Sequence, residues 1–317
     1  MIPRVITASA PARVDLAGGW TDVAPYTTEV GGAVCNVAIE LRATARVQGG
    51  TTETPPPSEG LLRAAWERAA MPRVSLGLTS AVPIGSGLGG SSAAGVALAA
   101  SLAAWRGLAL SPPELAELSR RTESETMGLA GGCQDHYAAA FGGALLLRCG
   151  ARTEVEQIPL SDAAVEAFER RAMIAFTGES RMSSHTITAV LDAYRARERQ
   201  TCDALHQMAT LAPAMATALA DGDLDRLGQL LAQQWQAQRA LHPTISTPLI
   251  DRIVDDVAAA GALGTKALGA SAGGCVLVIA REGREDSVRI ALGAHAQLLP
   301  LEVSRRGVQI HFTDGSD

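Results

Sequence analysis

The stretch VPIGSGLGGSSAAGVALAAS, residues 82–101, is the strongest constraint in this sequence. Four glycines and three serines lead directly into an alanine-rich run. An ordinary loop needs one or two glycines, and a helix needs none. Glycine lets backbone N–H groups approach an anion without interference from Cβ, at φ of either sign. A helix N-terminus adds unpaired N–H donors and the positive end of the helix dipole. Pro83, Gly85, Ser86, Gly87, Leu88, Gly89, Gly90, Ser91 and Ser92 are therefore candidates for a phosphate cradle. The hydroxyls of Ser91 and Ser92 could cap the helix, hold a phosphate oxygen or ligate Mg²⁺. No lysine follows, so this is not a Walker A loop. An alanine-rich helix lies where a dinucleotide fold would place its acidic residue. Alone, the segment is also compatible with a glycine-rich turn and a serine cap.

Length and composition narrow the class. The 317 residues suit two domains, with a division near residue 155: 1–155 for nucleotide and phosphate, 156–317 for the remainder. A net charge of −6 argues against a nucleic-acid-binding surface, and 3% aromatic residues leave little for base-stacking platforms. The five cysteines are isolated and form no CxxC pair, which disfavours a disulfide framework or a zinc site. The first residues lack an apolar signal segment, and no window reaches the roughly 18 apolar residues of a membrane span. A cytoplasmic protein without membrane or nucleic-acid partners is expected, and a homodimer is compatible with the sequence. Lys266 is the only lysine.

Along the chain, residues 4–16 and 33–48 read as strands and LLRAAWERAA as a short helix. MPRVSLGLTSAVP reads as a strand, and residues 91–108 as a helix. Residues 111–128 read as a second helix, with Ser111 as N-cap and Glu114 three residues later. AGGCQDHYAAAFGGALLLRCG gives a glycine loop, a short helix and an apolar strand. The second half shows a strand at RRAMIAF, then long helical patterning from 185 to 241, broken near 212–213 and at 221–223. A capped helix at STPLIDRIVDDVAAAG is followed by a glycine-rich turn, GTKALGASAGG, into an apolar strand. A helix and the last strands complete an α+β chain.

PIGSGLGGSSA resembles the phosphate-binding motif of the GHMP kinases, and three further stretches match in order. PARVDLAGGWTDVAPYTTEVGGAVCNVAI, residues 11–39, is similar to the N-terminal motif of the family's sugar-kinase branch, which includes L-fucokinase and heptose 7-phosphate kinases. The resemblance puts Arg13 near the transferred phosphate and Asp22 on sugar hydroxyls, with Gly18 and Gly19 shaping the turn between them. AGGCQDHYAAAFGG, residues 130–143, implies Asp135 as general base and puts His136, where relatives differ, near the sugar. Spacing to this motif favours Glu123 over Glu125 as the Mg²⁺ ligand beside Ser91 and Ser92. GALGTKALGASAGGCVLVIA, residues 261–280, resembles the C-terminal motif, with Ser271 and Ala272 where glycines are usual, and brings Gly273 towards substrate. FTGESRMSSHT, residues 176–186, suggests Arg181 as a partner for a substrate anion.

The resemblance implies a two-domain α+β fold: an N-terminal S5-like domain with a left-handed βαβ unit, and a ferredoxin-like C-terminal domain. ATP and Mg²⁺ are the implied cofactors. The acceptor is expected to be a sugar or sugar phosphate, phosphorylated at the anomeric hydroxyl of a heptose 7-phosphate or fucose-like molecule. The alternatives are a kinase for a non-sugar alcohol, of mevalonate or amino-alcohol type, and a catalytically silent ligand-binding relative.

Overall fold

Two long strands, β1 (Arg4–Ala17) and β2 (Gly32–Gly49), form the spine of the first sheet. The computed structural model describes residues 4–49, 57, 60–70, 74–128, 131–179, 183–270 and 273–314. Small and β-branched side chains allow β1 to be covered on both faces, and Ile6, Ala8, Ala10, Val14 and Leu16 are fully buried. The β1–β2 ladder slips at Pro11, which has no N–H to donate, and again between Asp15 and Ala17. β3 (Val74–Ser80), β4 (Ala144–Cys149), β5 (Glu154–Ile158) and the C-terminal β10 (Gln309–Asp314) complete an antiparallel sheet of order β10-β1-β2-β4-β5, with β3 also on β2. The first sheet thus runs past residue 155 to Ile158 and takes back the last described strand.

One face of this sheet carries α3 (Gly90–Trp105), flanked by α2 (Gly60–Ala69), α4 (Pro112–Arg121) and α5 (Gln134–Phe141). α3 is apolar on every side and buried from Ser92 to Ala104. Gly95 lets α4 close on it, because a Cβ there would lie 2.3 Å from Ser119 Oγ. The expected cap of α4 forms: the Ser111 N–H and hydroxyl both donate to Glu114, at 2.7 and 2.6 Å. The expected helix over 111–128 does not stay α-helical. From Thr122 to Thr126 it widens into a π-helical turn.

The second sheet holds β6 (Ala172–Phe176), β7 (Ala262–Ala267), β8 (Cys275–Ala280) and β9 (Gln297–Leu299) in the order β7-β8-β6-β9, all antiparallel. Counted within this half, that is the 4-1-3-2 order of a ferredoxin-like sheet. α8 (Arg199–Ala220) packs on the first sheet, α9 (Leu224–Ala240) on the second, and the two pack on each other. A single apolar cluster therefore runs from Val37 and Ile39 through Met215 and Leu219 to Ile174 and Leu277.

Two expectations need correction. α8 continues through Pro213 without a break. Buried neighbours on the same face (Leu211, Ala212, Met215 and Ala216) outweigh the bond that proline forfeits. The chain breaks instead between α7 (Ser183–Arg195) and α8, where Arg197 adopts φ +58°. The break at 221–223 is present, and Asp223 caps α9 by accepting the Arg226 N–H at 2.9 Å. In addition, residues 264–267 are not part of a turn. They are strand β7, and they carry Lys266 into the interior.

Lys266 is fully buried, and its Nζ donates to Asp15 Oδ2 at 2.6 Å and to the Asp15 carbonyl at 3.0 Å. This pair ties β7 of the second sheet to β1 of the first. Burial pulls the ammonium pKa down, and the Asp15 carboxylate opposes that shift. Removing one partner leaves an uncompensated buried charge, which costs about 3–5 kcal/mol. Lys266→Met is therefore expected to lower the unfolding free energy by roughly that amount in urea denaturation. Adding Asp15→Asn should recover a large part of the loss. A Lys266→Met protein as stable as the parent would show that the pair is not what joins the sheets.

Candidate active site

The glycine-rich segment leaves β3 and enters α3 through Gly85, Gly87 and Gly89, all at positive φ. Two of these glycines are required by contact. A Cβ on Gly87 would lie 2.6 Å from the Leu268 carbonyl oxygen, and one on Gly89 would lie 3.0 Å from Asp135 Cγ. Gly89 is the N-cap residue of α3, and no side chain caps the first turn. The helix therefore begins with uncapped N–H groups facing a cavity lined by Pro83, Gly85–Gly87 and Gly89–Ser92, with Asp135 at its edge. Leu88 does not line it. Its side chain is buried in the core and its carbonyl accepts the Arg13 N–H at 3.0 Å. From behind, the Cys275 N–H donates to the Ser86 carbonyl at 2.8 Å, so the third glycine-rich motif braces the loop.

The π-helical turn swings Glu123 towards the start of α3. Its carboxylate accepts from Ser91 Oγ at 2.6 Å and Ser92 Oγ at 3.4 Å, and lies 3.2 Å from His136 Nε2. Burial pushes the Glu123 pKa up, but these partners, His136 foremost, hold it below the ordinary value. Glu125 points away to Arg68 at 3.1 Å. Among the described residues there is no cluster of three His, Cys, Asp or Glu side chains suited to a metal. One carboxylate and two hydroxyls do fit Mg²⁺, which takes hard oxygens and keeps waters and phosphate as its other ligands. His136, expected near the sugar, does not line the cavity that holds Asp22 and Asp135. It is buried, its Nδ1 is 3.0 Å from Ser119 Oγ, and it stands behind Glu123.

A second cavity adjoins the first at Asp135. Arg13 spans the junction. Its Nε and Nη2 lie 2.7 and 2.6 Å from Asp135 Oδ1, and its Nη1 donates to the Gly87 carbonyl at 2.5 Å. Asp22 forms part of the far wall, where Oδ2 accepts the Gln134 N–H at 3.0 Å. Gly132 is needed there, since a Cβ would lie 1.9 Å from that oxygen. Burial raises the Asp22 pKa to about 6; the Gln134 N–H opposes this, and the Asp135 and Asp15 carboxylates add to it.

Gly19 lines this cavity, and a Cβ on it would meet Asp15 Oδ2 at 2.4 Å. Gly18 does not. It packs on the Ala33 carbonyl and donates to Gln234 Oε1 at 3.2 Å. Gly273 is also absent from the wall, lying against the Glu179 carbonyl. Gly269 takes the place expected for it. Arg181, Ser271 and Ala272 lie outside the described residues.

Sequence reasoning missed Asp15, Trp20 and Gln134, which all line the cavity. Asp15 Oδ1, Trp20 Nε1 and Gln134 Oε1 are buried there without a hydrogen-bond partner among the described residues. Trp20 also holds φ +79°, a conformation rare outside glycine. The available signals were an acid on the strand before GGWTD and the single lysine that partners it. Chemically, the site joins an anion cradle to a pocket of hydroxyl acceptors, with one carboxylate common to both.

Known proteins resemble this chain in sequence and in fold. The N-terminal domain of GHMP kinases matches residues 59–143 and their C-terminal domain matches residues 215–297. The chain is 28% identical to the D-glycero-alpha-D-manno-heptose 7-phosphate kinase of Campylobacter jejuni, over 86% of this chain and 88% of that protein. It is also 28% identical to a mevalonate kinase of Thermococcus sibiricus, over 75% of this chain and 69% of that protein. The crystal structure of a D-glycero-D-manno-heptose 1-phosphate kinase from Bacteriodes thetaiotaomicron superposes with a TM-score of 0.76 at 22% identity, covering 96% of this chain and 98% of that one. No helix among the described residues is long and apolar enough to cross a membrane. With both family domains in order and the fold shared along nearly its whole length, the chain belongs to the GHMP kinases.

Proposed function

We propose that this chain transfers the γ-phosphoryl group of ATP, with Mg²⁺, to a hydroxyl of a sugar. The proposed acceptor position is the anomeric hydroxyl of a heptose 7-phosphate or fucose-like sugar. The observation that carries this reading is the place of Asp135, which borders both the phosphate cradle and the carboxylate-lined pocket. A hydroxyl bound beside Asp22 and Asp135 would lie next to the end of a triphosphate wrapped by residues 85–92.

In the proposed reaction the acceptor oxygen forms a bond to the γ-phosphorus, and the bond to the bridging oxygen breaks with its electrons leaving on ADP. The hydroxyl proton passes to the Asp135 carboxylate. Little covalent work is asked of a protein in such a transfer, so positioning and charge compensation dominate. Arg13 supports both: it fixes Asp135 and presents its guanidinium beside Gly87, where negative charge gathers. Uncapped N–H groups of α3 would bind phosphate oxygens. Ser91, Ser92 and Glu123 would hold Mg²⁺, which neutralises charge on the triphosphate when bound. Asp22, with Asp15 and Gln134, would accept hydrogen bonds from the sugar. Carboxylates suit hydroxyls, and among the described residues that line the pocket Arg13 is the one cation, which suits a neutral ring there.

The test is ADP release from Mg·ATP across a panel of free sugars and sugar phosphates. Mevalonate belongs in the panel because a mevalonate kinase is among the relatives. A strong signal with one sugar supports the proposal; turnover with mevalonate alone overturns the choice of acceptor. Asp135→Asn is expected to reduce kcat by about 10²- to 10⁴-fold with folding intact, as for loss of a general base.

Ionised Asp22 is the better acceptor for two hydroxyls. Because its pKa is raised to about 6, the protonated form persists to mildly acidic pH. Acceptor kcat/KM is therefore expected to rise as pH passes through about 6 and to level off above 7. Asp22→Asn should abolish that inflection and raise the acceptor KM by about 10- to 100-fold, the range for loss of charged hydrogen bonds. An unchanged inflection would assign the titration to another group.

A further inference from the structure

An open cavity of about 660 Å³ lies beside Asp22, outside the site described above. Its walls are the short helix α1 (Tyr26–Glu29), the end of α4, the loop at Gly131–Cys133 and the turn joining β4 to β5. Asp22 and Gly131 are common to it and the acceptor cavity, so one layer of residues separates the two.

Three arginines reach this cavity in a chain whose net charge is −6. Arg120 is held by Glu117, with Nε and Nη2 at 3.0 and 2.7 Å from Oε2. Glu117 also accepts from the Tyr137 hydroxyl at 3.0 Å, so its carboxylate is engaged on both oxygens. Arg121 and Arg152 are exposed and take part in no ion pair among the described residues. The two come from different elements, α4 and the β4–β5 turn, and converge on one opening. Thr27 lines the same wall, and its hydroxyl is buried without a partner among the described residues. The acidic groups facing them are Glu117, already paired, and Asp22, whose carboxyl is turned to the Gln134 N–H. Two exposed guanidiniums lining one concave surface, Arg121 with only a charge attraction to Glu117, are suited to an oxyanion that presents several acceptor oxygens.

We propose that this cavity binds a phosphate-class anion through Arg121 and Arg152, with Arg120 held in place beside them. The anion has two sources. It can be a phosphate at the far end of the acceptor, reaching past Gly131 while the reacting hydroxyl lies at Asp135. It can also be a separate phosphate or phosphorylated molecule. Only the first source rests on the sugar-kinase reading.

The probe is inorganic phosphate, titrated calorimetrically into the full chain saturated with Mg²⁺ and a non-hydrolysable ATP analogue, so that the glycine-rich cradle is filled. Binding is expected in the parent protein. The double variant Arg121→Ala/Arg152→Ala should weaken it at least tenfold, as for loss of charge-assisted hydrogen bonds. Arg148→Ala, an exposed arginine on β4 outside this cavity, should leave it unchanged. Both substituted side chains are exposed, so the double variant is expected to unfold at the parent's denaturant midpoint, and this is measured alongside. Absence of phosphate binding in the parent, or equal binding in the double variant, overturns the proposal. Kinetics then separate the sources. Phosphate that raises the KM of a phosphosugar but not of its unphosphorylated counterpart identifies the acceptor's own distal group. Phosphate that alters kcat for every acceptor identifies a separate ligand. If no sugar is turned over, the kinase reading fails while calorimetry still decides the anion site.

Discussion

The Arg13 guanidinium is the hinge of the site. It reaches from β1 to the carboxylate at the start of α5 and to a carbonyl of the glycine-rich loop. These segments lie 122 and 74 residues from Arg13 in the chain. A planar fork with five donors can hold two directions at once, which a lysine ammonium does less specifically. The rest of the architecture keeps that fork in place. β1 is clamped between β2 and β10, Asp15 beneath it is tied to Lys266, and the Leu88 carbonyl fixes the Arg13 backbone. The charged groups of the site are bonded to one another in the absence of a ligand.

Much of the fold was legible in the sequence because glycine and alternation are local signals. β1, β2, α3 and the capping box of α4 lie where side-chain period and cap residues placed them. The glycine-rich entry to α3 was legible for the same reason, with Gly85, Gly87 and Gly89 at the positive φ that their alternate spacing suggested. The π-helical turn was not. TESET continues a helical pattern, and only the pull of Ser91, Ser92 and His136 on Glu123 explains why the turn widens.

His136 shows a second limit. It follows Asp135 directly, and proximity in sequence suggested a shared task. On a helix, however, successive side chains point about 100° apart, so the residue next to Asp135 turns away from the cavity that Asp135 lines. His136 therefore meets Ser119 and Glu123 on the opposite side. Lys266 shows the converse. Its uniqueness in the sequence was plain, but its role depends on a partner 251 residues away, which no local pattern reveals.

The return of β10 to the first sheet affects how the chain reaches this state. β10 pairs with β1 from Arg4 to Ser9, so β1 finds its outer neighbour only at Gln309–Asp314, across nearly the whole described length. Until then β1 presents an open backbone edge, the kind of surface that recruits other strands. The strand that closes this edge is thus distant in the chain from the edge itself, and a folding intermediate with an exposed edge follows from the topology.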